Sequence, residues 1–141
     1  MPDKYLDELS EQERASMWRQ SLANEPRHRA TRLVGVSDDG LVVGFALAGP
    51  SGGDPDGDEG ELYAINVDPD HWGTGLGSAL LEAATEALRA ADFLTAVLWV
   101  HPLNARARAF YETRGWRSDE VQRQEEFPGV TVAEIRYSTP L

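Results

Sequence analysis

The chain has 141 residues and no cysteine, enough for one domain with one core and with no disulfide framework, thiolate zinc site or cysteine nucleophile. Thirteen basic residues stand against 24 acidic ones, a net charge of -11, and so acidic a surface repels phosphate backbones and argues against a nucleic-acid binder. The apolar runs fall well short of the roughly 20 residues a spanning helix needs, and Met1 to Ser10 is charged without a signal-peptide core, so a cytoplasmic chain with no membrane contact is expected.

Ser10 to Asn24 reads as a helix: Ser10 and Glu13 form a capping box, Ala15, Trp18 and Leu22 recur at helical spacing, and Pro26 ends it. Thr31 to Ser37 and Leu41 to Ala48 read as strands joined at Asp38-Asp39-Gly40, a hairpin signal. Gly49 to Gly60 is a loop rich in Gly, Pro and Asp. Its alternating Asp54, Asp56 and Asp58 invite a calcium reading, but Glu59 stands where a calcium loop needs glycine and Ile65 where it needs the closing glutamate, so no metal is expected. Glu61 to Val67 is a third strand, and Asp68-Pro69-Asp70 is a turn. His71-Trp72-Gly73-Thr74-Gly75-Leu76-Gly77 leads into a helix from Ser78 to about Ala91, with Leu80, Leu81, Ala84, Ala87, Leu88 and Ala91 on one apolar stripe. Phe93 to Val100 is a continuous apolar run of strand length, which implies a central strand buried on both faces. Asn104 to about Arg114 is another helix, closed by Gly115 as a C-terminal cap. Val121 to Phe127 and Val130 to Tyr137 make a last hairpin around Pro128-Gly129.

The middle of this order is a β-α-β unit, which joins parallel strands by a right-handed crossover, and its flanks are antiparallel hairpins. The expected fold is therefore α+β, a mixed, largely antiparallel twisted sheet with helices on both faces. Residues 1–141 form one domain, with a helical segment over 1–30 and the core over 31–141.

Two constellations can carry chemistry. Gly73, Gly75 and Gly77 let the backbone approach a ligand closely, and the first N–H groups of the following helix have no partner within it. That is an anion site suited to a pyrophosphate, or simply a tight β-α turn. The Gly-Lys-Ser/Thr of a Walker loop is missing, and the G-x-G-x-G frame does not match a dinucleotide fingerprint. The second constellation is Asn104, Ala107, Phe110, Tyr111, Gly115 and Trp116, with Ala107, Phe110 and Tyr111 on one helix face. Taken singly, Asn104 is an N-cap and Tyr111 a core residue with its hydroxyl at the edge.

Together, the two resemble the GNAT superfamily of N-acetyltransferases. Trp72-Gly73-Thr74-Gly75-Leu76-Gly77 is similar to its acetyl-CoA pyrophosphate loop, Gln/Arg-x-x-Gly-x-Gly/Ala, and Asn104-x-x-Ala-x-x-Phe-Tyr-x-x-x-Gly-Trp to its second CoA motif. Glu61-Leu-Tyr-Ala-Ile-Asn-Val-Asp-Pro resembles the strand before the loop, and the likeness covers about residues 31 to 141. Trp72 departs from it by removing a side-chain donor. The family's first strand and helix also have no counterpart ahead of Tyr5 to Asn24, which makes Thr31 to Ser37 a sheet edge that calls for a partner chain, as in a homodimer, or a covering segment.

The resemblance implies an acyltransferase with acetyl-CoA as cosubstrate and no metal. It would acetylate a primary amine of a small molecule, peptide or protein by direct attack through a tetrahedral intermediate. An alkylammonium with a pKa near about 10.4 cannot attack until it loses a proton. Glu61 takes the position of a general-base carboxylate, with His101 as the other candidate because imidazole titrates near neutrality. Tyr111 takes that of a general acid toward the thiol. Ile65, Asn66 and Val67 would pair with the pantetheine arm where the sheet splays, and backbone N–H groups near Val67 would face the oxyanion. Trp72, Gly73, Thr74, Gly75, Leu76, Gly77 and Ser78 would form the pyrophosphate site, Asn104 a pantetheine contact, and Arg106 or Arg108 a phosphate contact. The competing reading is a non-catalytic acyl-CoA-binding or regulatory module of the same fold, against which the presence of both Glu61 and Tyr111 argues.

Overall fold

The computed structural model describes residues 29–141, so the helix expected over 10–24 lies outside the described residues. The described elements are β1 (Thr31–Val36), β2 (Val42–Pro50), β3 (Glu59–Val67), α1 (Leu76–Ala90), β4 (Thr95–Val100), α2 (Ala105–Glu112), β5 (Arg117–Phe127) and β6 (Val130–Pro140). They form one six-stranded sheet in the order β1-β2-β3-β4-β6-β5. Every neighbouring pair is antiparallel except β3 and β4, which α1 joins as the expected β-α-β unit.

The parallel pair is short. Glu59, Gly60 and Glu61 face Thr95, Ala96 and Val97, and there the pairing stops. Gly60 sits in the middle of this contact, where an added Cβ would lie 3.0 Å from Leu88 and 3.2 Å from the Phe93 ring. The helix closes down on the sheet there, and beyond it β3 runs on to Val67 and β4 to Val100 without each other.

One face of the sheet carries the core. Ala46, Ala48, Leu62, Ala96, Leu98, Val100, Ile135 and Tyr137 pack with Leu80, Leu81, Ala84 and Leu88 of α1, Tyr111 of α2, and Trp116. Both described helices thus share one cluster. Val43, Phe45 and Val97, also buried, stand outside it.

Several boundaries move for local reasons. Helix α1 begins at Leu76, ahead of Ser78, because Gly75 at φ +87° turns the chain into it without a side-chain cap. At its far end Asp92 takes φ +70° and the Phe93 N–H donates to Leu88 O, so Phe93 folds back as a core plug. The strand expected from Phe93 therefore starts at Thr95, and Leu94 is exposed. Strand β5 starts at Arg117, ahead of Val121, because a register shift between Ser118 and Gln122, with Glu120 at φ +65°, interrupts its alternation. Among the described residues β1 is an edge of the sheet, with Val34 and Val36 exposed.

Candidate functional site

Two cavities of about 470 Å³ each open where β3 and β4 part, and they share Ile65, Asn104, Ala107 and Tyr111 as a common wall. The first, the loop cavity, is bounded by Asn66 and Val67 of β3, by Trp72, Gly73, Gly75, Gly77 and Ser78, and by Arg106 of α2. The second, the strand cavity, lies over Leu62, Leu98, Trp99, Val100 and His101 and reaches Thr131 and Glu134 of β6.

The loop cavity gathers positive potential in a chain whose net charge is -11. The first bond of α1 runs from Ala79 N–H to Gly75 O at 3.0 Å, so the N–H groups of Leu76, Gly77 and Ser78 precede the helix ladder and are left for other acceptors. The Arg106 guanidinium lies 3.4 Å from the centre of the Trp72 ring, and the Arg114 guanidinium 4.0 Å from that of Phe110. Arg114 Nε also donates to Ser78 Oγ at 2.8 Å. His71 Nδ1 is buried and has no hydrogen-bond partner among the described residues.

Thr74 and Leu76 line neither cavity with their side chains. The Thr74 hydroxyl donates back to His71 O at 2.7 Å, and Leu76 packs against the backbone of Gly35 and Gly44, where an added Cβ at Gly35 would come within 2.6 Å. Both side chains hold the loop in place, so what Thr74 and Leu76 can offer a ligand is backbone. Of the two arginine candidates, Arg108 is the one held elsewhere. Its Nε donates to the Tyr137 hydroxyl at 2.9 Å and its Nη1 to Pro102 O at 2.8 Å, while that hydroxyl donates to Glu112 at 2.7 Å. It braces α2 against β6 and is turned from the loop.

The acid–base candidates sit differently. Tyr111, 8% exposed, lies in the wall common to both cavities, edge-on to Phe110 at 5.3 Å. Asn104 caps α2 by accepting from Ala107 N–H at 3.1 Å and also lines both cavities. Glu61 lines neither cavity; it shares with Glu59 the Ser51 hydroxyl, which lies 2.6 Å from Glu59 and 3.3 Å from Glu61. Burial pushes its carboxyl above the usual range, against the opposing pull of the Arg123 charge and the Ser51 hydrogen bond. His101 lines the strand cavity, but its Nδ1 accepts from Leu103 N–H at 3.1 Å. That contact fixes the neutral ring as the Nε2–H tautomer and occupies its basic nitrogen.

The sequence profile of the Acetyltransferase (GNAT) family matches residues 2–116. The chain belongs to this family. Among curated relatives, a mycothiol acetyltransferase of Beutenbergia cavernae is 43% identical over 74 residues, covering 52% of this chain and 25% of the relative. The chain thus spans about a quarter of that protein's length. Among solved structures, the ribosomal-protein-S18-alanine N-acetyltransferase of Escherichia coli matches with a TM-score of 0.66 at 27% identity, over 86% of this chain and 75% of that one. A ribosomal-protein-alanine N-acetyltransferase of Brucella melitensis shares the fold with a TM-score of 0.72 at 21% identity, over 96% of this chain and 82% of that one.

Three side chains of this GNAT chain escaped the sequence reading. Arg114 and His71 flank the glycines, and only their adjacency to the motifs hints at them. Glu134 is 4% exposed in the wall of the strand cavity, held at 3.1 Å by Arg123, whose guanidinium lies 4.2 Å from the centre of the Trp99 ring. Its alternation with Val132 and Arg136 marks a sheet face, but burial there depends on strands far away in sequence.

Proposed function

We propose that the chain is an N-acetyltransferase that moves an acetyl group from acetyl-CoA to a primary amine. The observation that carries this is the parting of β3 from β4 after three residue pairs, directly beside the glycine loop and the start of α1. The residues present fit the cosubstrate: unpaired N–H groups at a helix start and the Arg106 guanidinium can meet an anionic ligand, while Arg114 is tied to Ser78, Phe110 and Thr113 beside them. Gly73 to Ser78 would hold the pyrophosphate, Arg106 a phosphate oxygen, and Ile65 to Val67 with Asn104 the pantetheine arm. Acetyl-CoA, when bound, supplies an activated acyl thioester.

The chain's own residues divide the remaining work. The strand cavity takes the amine, with Glu134 as the buried charge that favours a cation in its wall. Glu61 takes the ammonium proton through a water, since its side chain lines neither cavity and its raised pKa makes it a better base than an ordinary carboxylate. With the basic nitrogen of His101 occupied, that ring orients the turn after β4. Backbone N–H groups on the open side of β3 near Val67 stabilise charge developing on the acyl oxygen. Tyr111, in the wall common to both cavities, donates a hydrogen bond to the departing sulfur. An unperturbed phenol has a pKa about 1.5 units above a thiol's, roughly 2 kcal/mol uphill for full transfer, so hydrogen bonding is its role.

The test has two arms. CoA should raise the melting temperature while ATP and NAD do not, by mass action on the folded state. Mixing acetyl-CoA with a panel of primary amines should release free thiol with at least one of them. Stabilisation by CoA with no thiol released from any amine would favour a non-catalytic acyl-CoA-binding module.

A further inference from the structure

The family's loop pattern begins with Gln or Arg, whose side chain can donate to a ligand; here the position is Trp72, which is 49% exposed. The indole does not leave the position idle. Its Nε1–H donates to Val67 O at 2.8 Å, tying the ring to the end of β3, and its face carries the Arg106 guanidinium at 3.4 Å. An arginine at the exposed start of a helix ordinarily samples many rotamers, and ordering it costs entropy each time it binds. A guanidinium laid flat on an anchored indole is held in advance, with the edges of its planar fork still able to donate. Both side chains line the loop cavity beside the unpaired N–H groups of α1. His71, whose buried Nδ1 has no partner among the described residues, lines the same cavity.

We infer that Trp72 is a positioning residue for Arg106, and that the pair supplies from α2 the phosphate-directed donor that the loop itself lacks. This rests on the proposed reading of the cavity as a CoA site. Trp72 need not touch the phosphate; it presets the group that does.

The experiment is a double-mutant cycle read by calorimetric Kd for CoA and for dephospho-CoA, with melting temperature without ligand as the control for folding. Arg106→Ala should weaken CoA about tenfold, as loss of a charge-assisted hydrogen bond does. Trp72→Ala should weaken it by a similar factor, and the double variant by no more than the larger single effect. Trp72→Phe, which keeps a ring for the guanidinium but loses the indole N–H, should recover most of the affinity. Arg106→Lys should not, because an ammonium cannot lie flat on the ring and offer a fork. If the loss persists with dephospho-CoA, Arg106 serves the pyrophosphate; if it vanishes, Arg106 serves the 3′-phosphate. Single effects that multiply in the double variant, or a Trp72→Ala protein that binds like the parent while Arg106→Ala does not, would overturn the pairing. If the parent protein binds neither ligand, it is the CoA reading that fails.

Discussion

The two cavities that meet at Tyr111 are built in opposite ways. The loop cavity is made from two short stretches of chain, 65–78 and 104–114, and presents backbone N–H groups and guanidinia. The strand cavity draws on β3, β4 and β6 and presents apolar side chains, one buried carboxylate and a neighbouring arginine. On the proposed reading an anion would be met on one side and a cation favoured on the other, with Tyr111 in the wall between them. A reaction that joins a phosphate-bearing donor to an amine needs that separation. Each side would bind its own partner, and only the common wall would touch both.

If the separation is real, damage on one side should stay there. The largest expected effect is Gly75→Val. Gly75 sits at φ +87°, a conformation costly for a β-branched residue, although an added Cβ there meets nothing within 4 Å. The strain is therefore backbone strain, and relieving it re-aims the first N–H groups of α1. Thermal stabilisation by CoA should disappear, with a stability loss of roughly 1–2 kcal/mol. Retained stabilisation would remove the loop from the site.

Next is the common wall. Tyr111→Phe keeps the ring contacts with Phe110, Trp116 and Tyr137. It should lower turnover at least about tenfold, the low side of what a general acid contributes, while the CoA-induced shift and the resting stability hold. A Phe variant that turns over like the parent would make Tyr111 a core aromatic and leave the two sides without a shared group.

The same contrast explains what could be read from the sequence. The loop cavity was legible because its parts are local: glycines that free the backbone, the helix start they open, and an N-cap at Asn104 whose register sets Ala107, Phe110 and Tyr111. The details it hid were small, such as the Thr74 hydroxyl bonding back to His71 and Leu76 packing inward, both of which secure the loop. Which of Arg106 and Arg108 would face the loop could not be read, because the partner that claims Arg108, Tyr137, is on the last strand. The strand cavity was illegible for that reason throughout. Glu134 is buried only once β6 has paired with β4 and β5, and the bulge near Glu120 hides how far β5 extends. Periodicity reports which face a residue occupies, and distant strands decide whether that face is covered.

Glu61 probes how the strand side talks to the wall. Its pKa is raised chiefly by burial. The parent's rate should climb with pH along a limb lying above the ordinary carboxylate range. Glu61→Gln should lose that limb and run severalfold slower near neutrality, and the two should converge as pH approaches the amine's own pKa of about 10.4. The stability consequence has the opposite sense. A carboxylate whose folded pKa exceeds its unfolded one binds its proton more tightly when folded, so its contribution is present at low pH and lost as pH rises through the folded pKa. The Gln variant should therefore match or exceed the parent's melting temperature at neutral pH. Identical pH–rate profiles would take Glu61 out of the proton path.

The smallest expected effect is the most discriminating. Glu134→Gln keeps the shape of the strand-cavity wall and an oxygen for Arg123, but removes the charge. Arg123 is not thereby stranded: its side chain is 36% exposed, and Glu125 remains 3.6 Å away. The stability cost should be about 1 kcal/mol, that of a weakened hydrogen bond, well below what breaking a fully buried ion pair costs. The functional cost should fall on the amine alone, as a KM raised about threefold for a cationic acceptor at low salt. The difference should shrink at high ionic strength, because attraction through a partly open cavity is screened. CoA affinity and turnover at saturating amine should not follow, since the loop cavity draws its potential from α1 and α2 and contains no part of β6. If Glu134→Gln weakened CoA by the same factor as the amine, the two cavities would be one electrostatic unit. The division of labour at Tyr111 would then have to be abandoned.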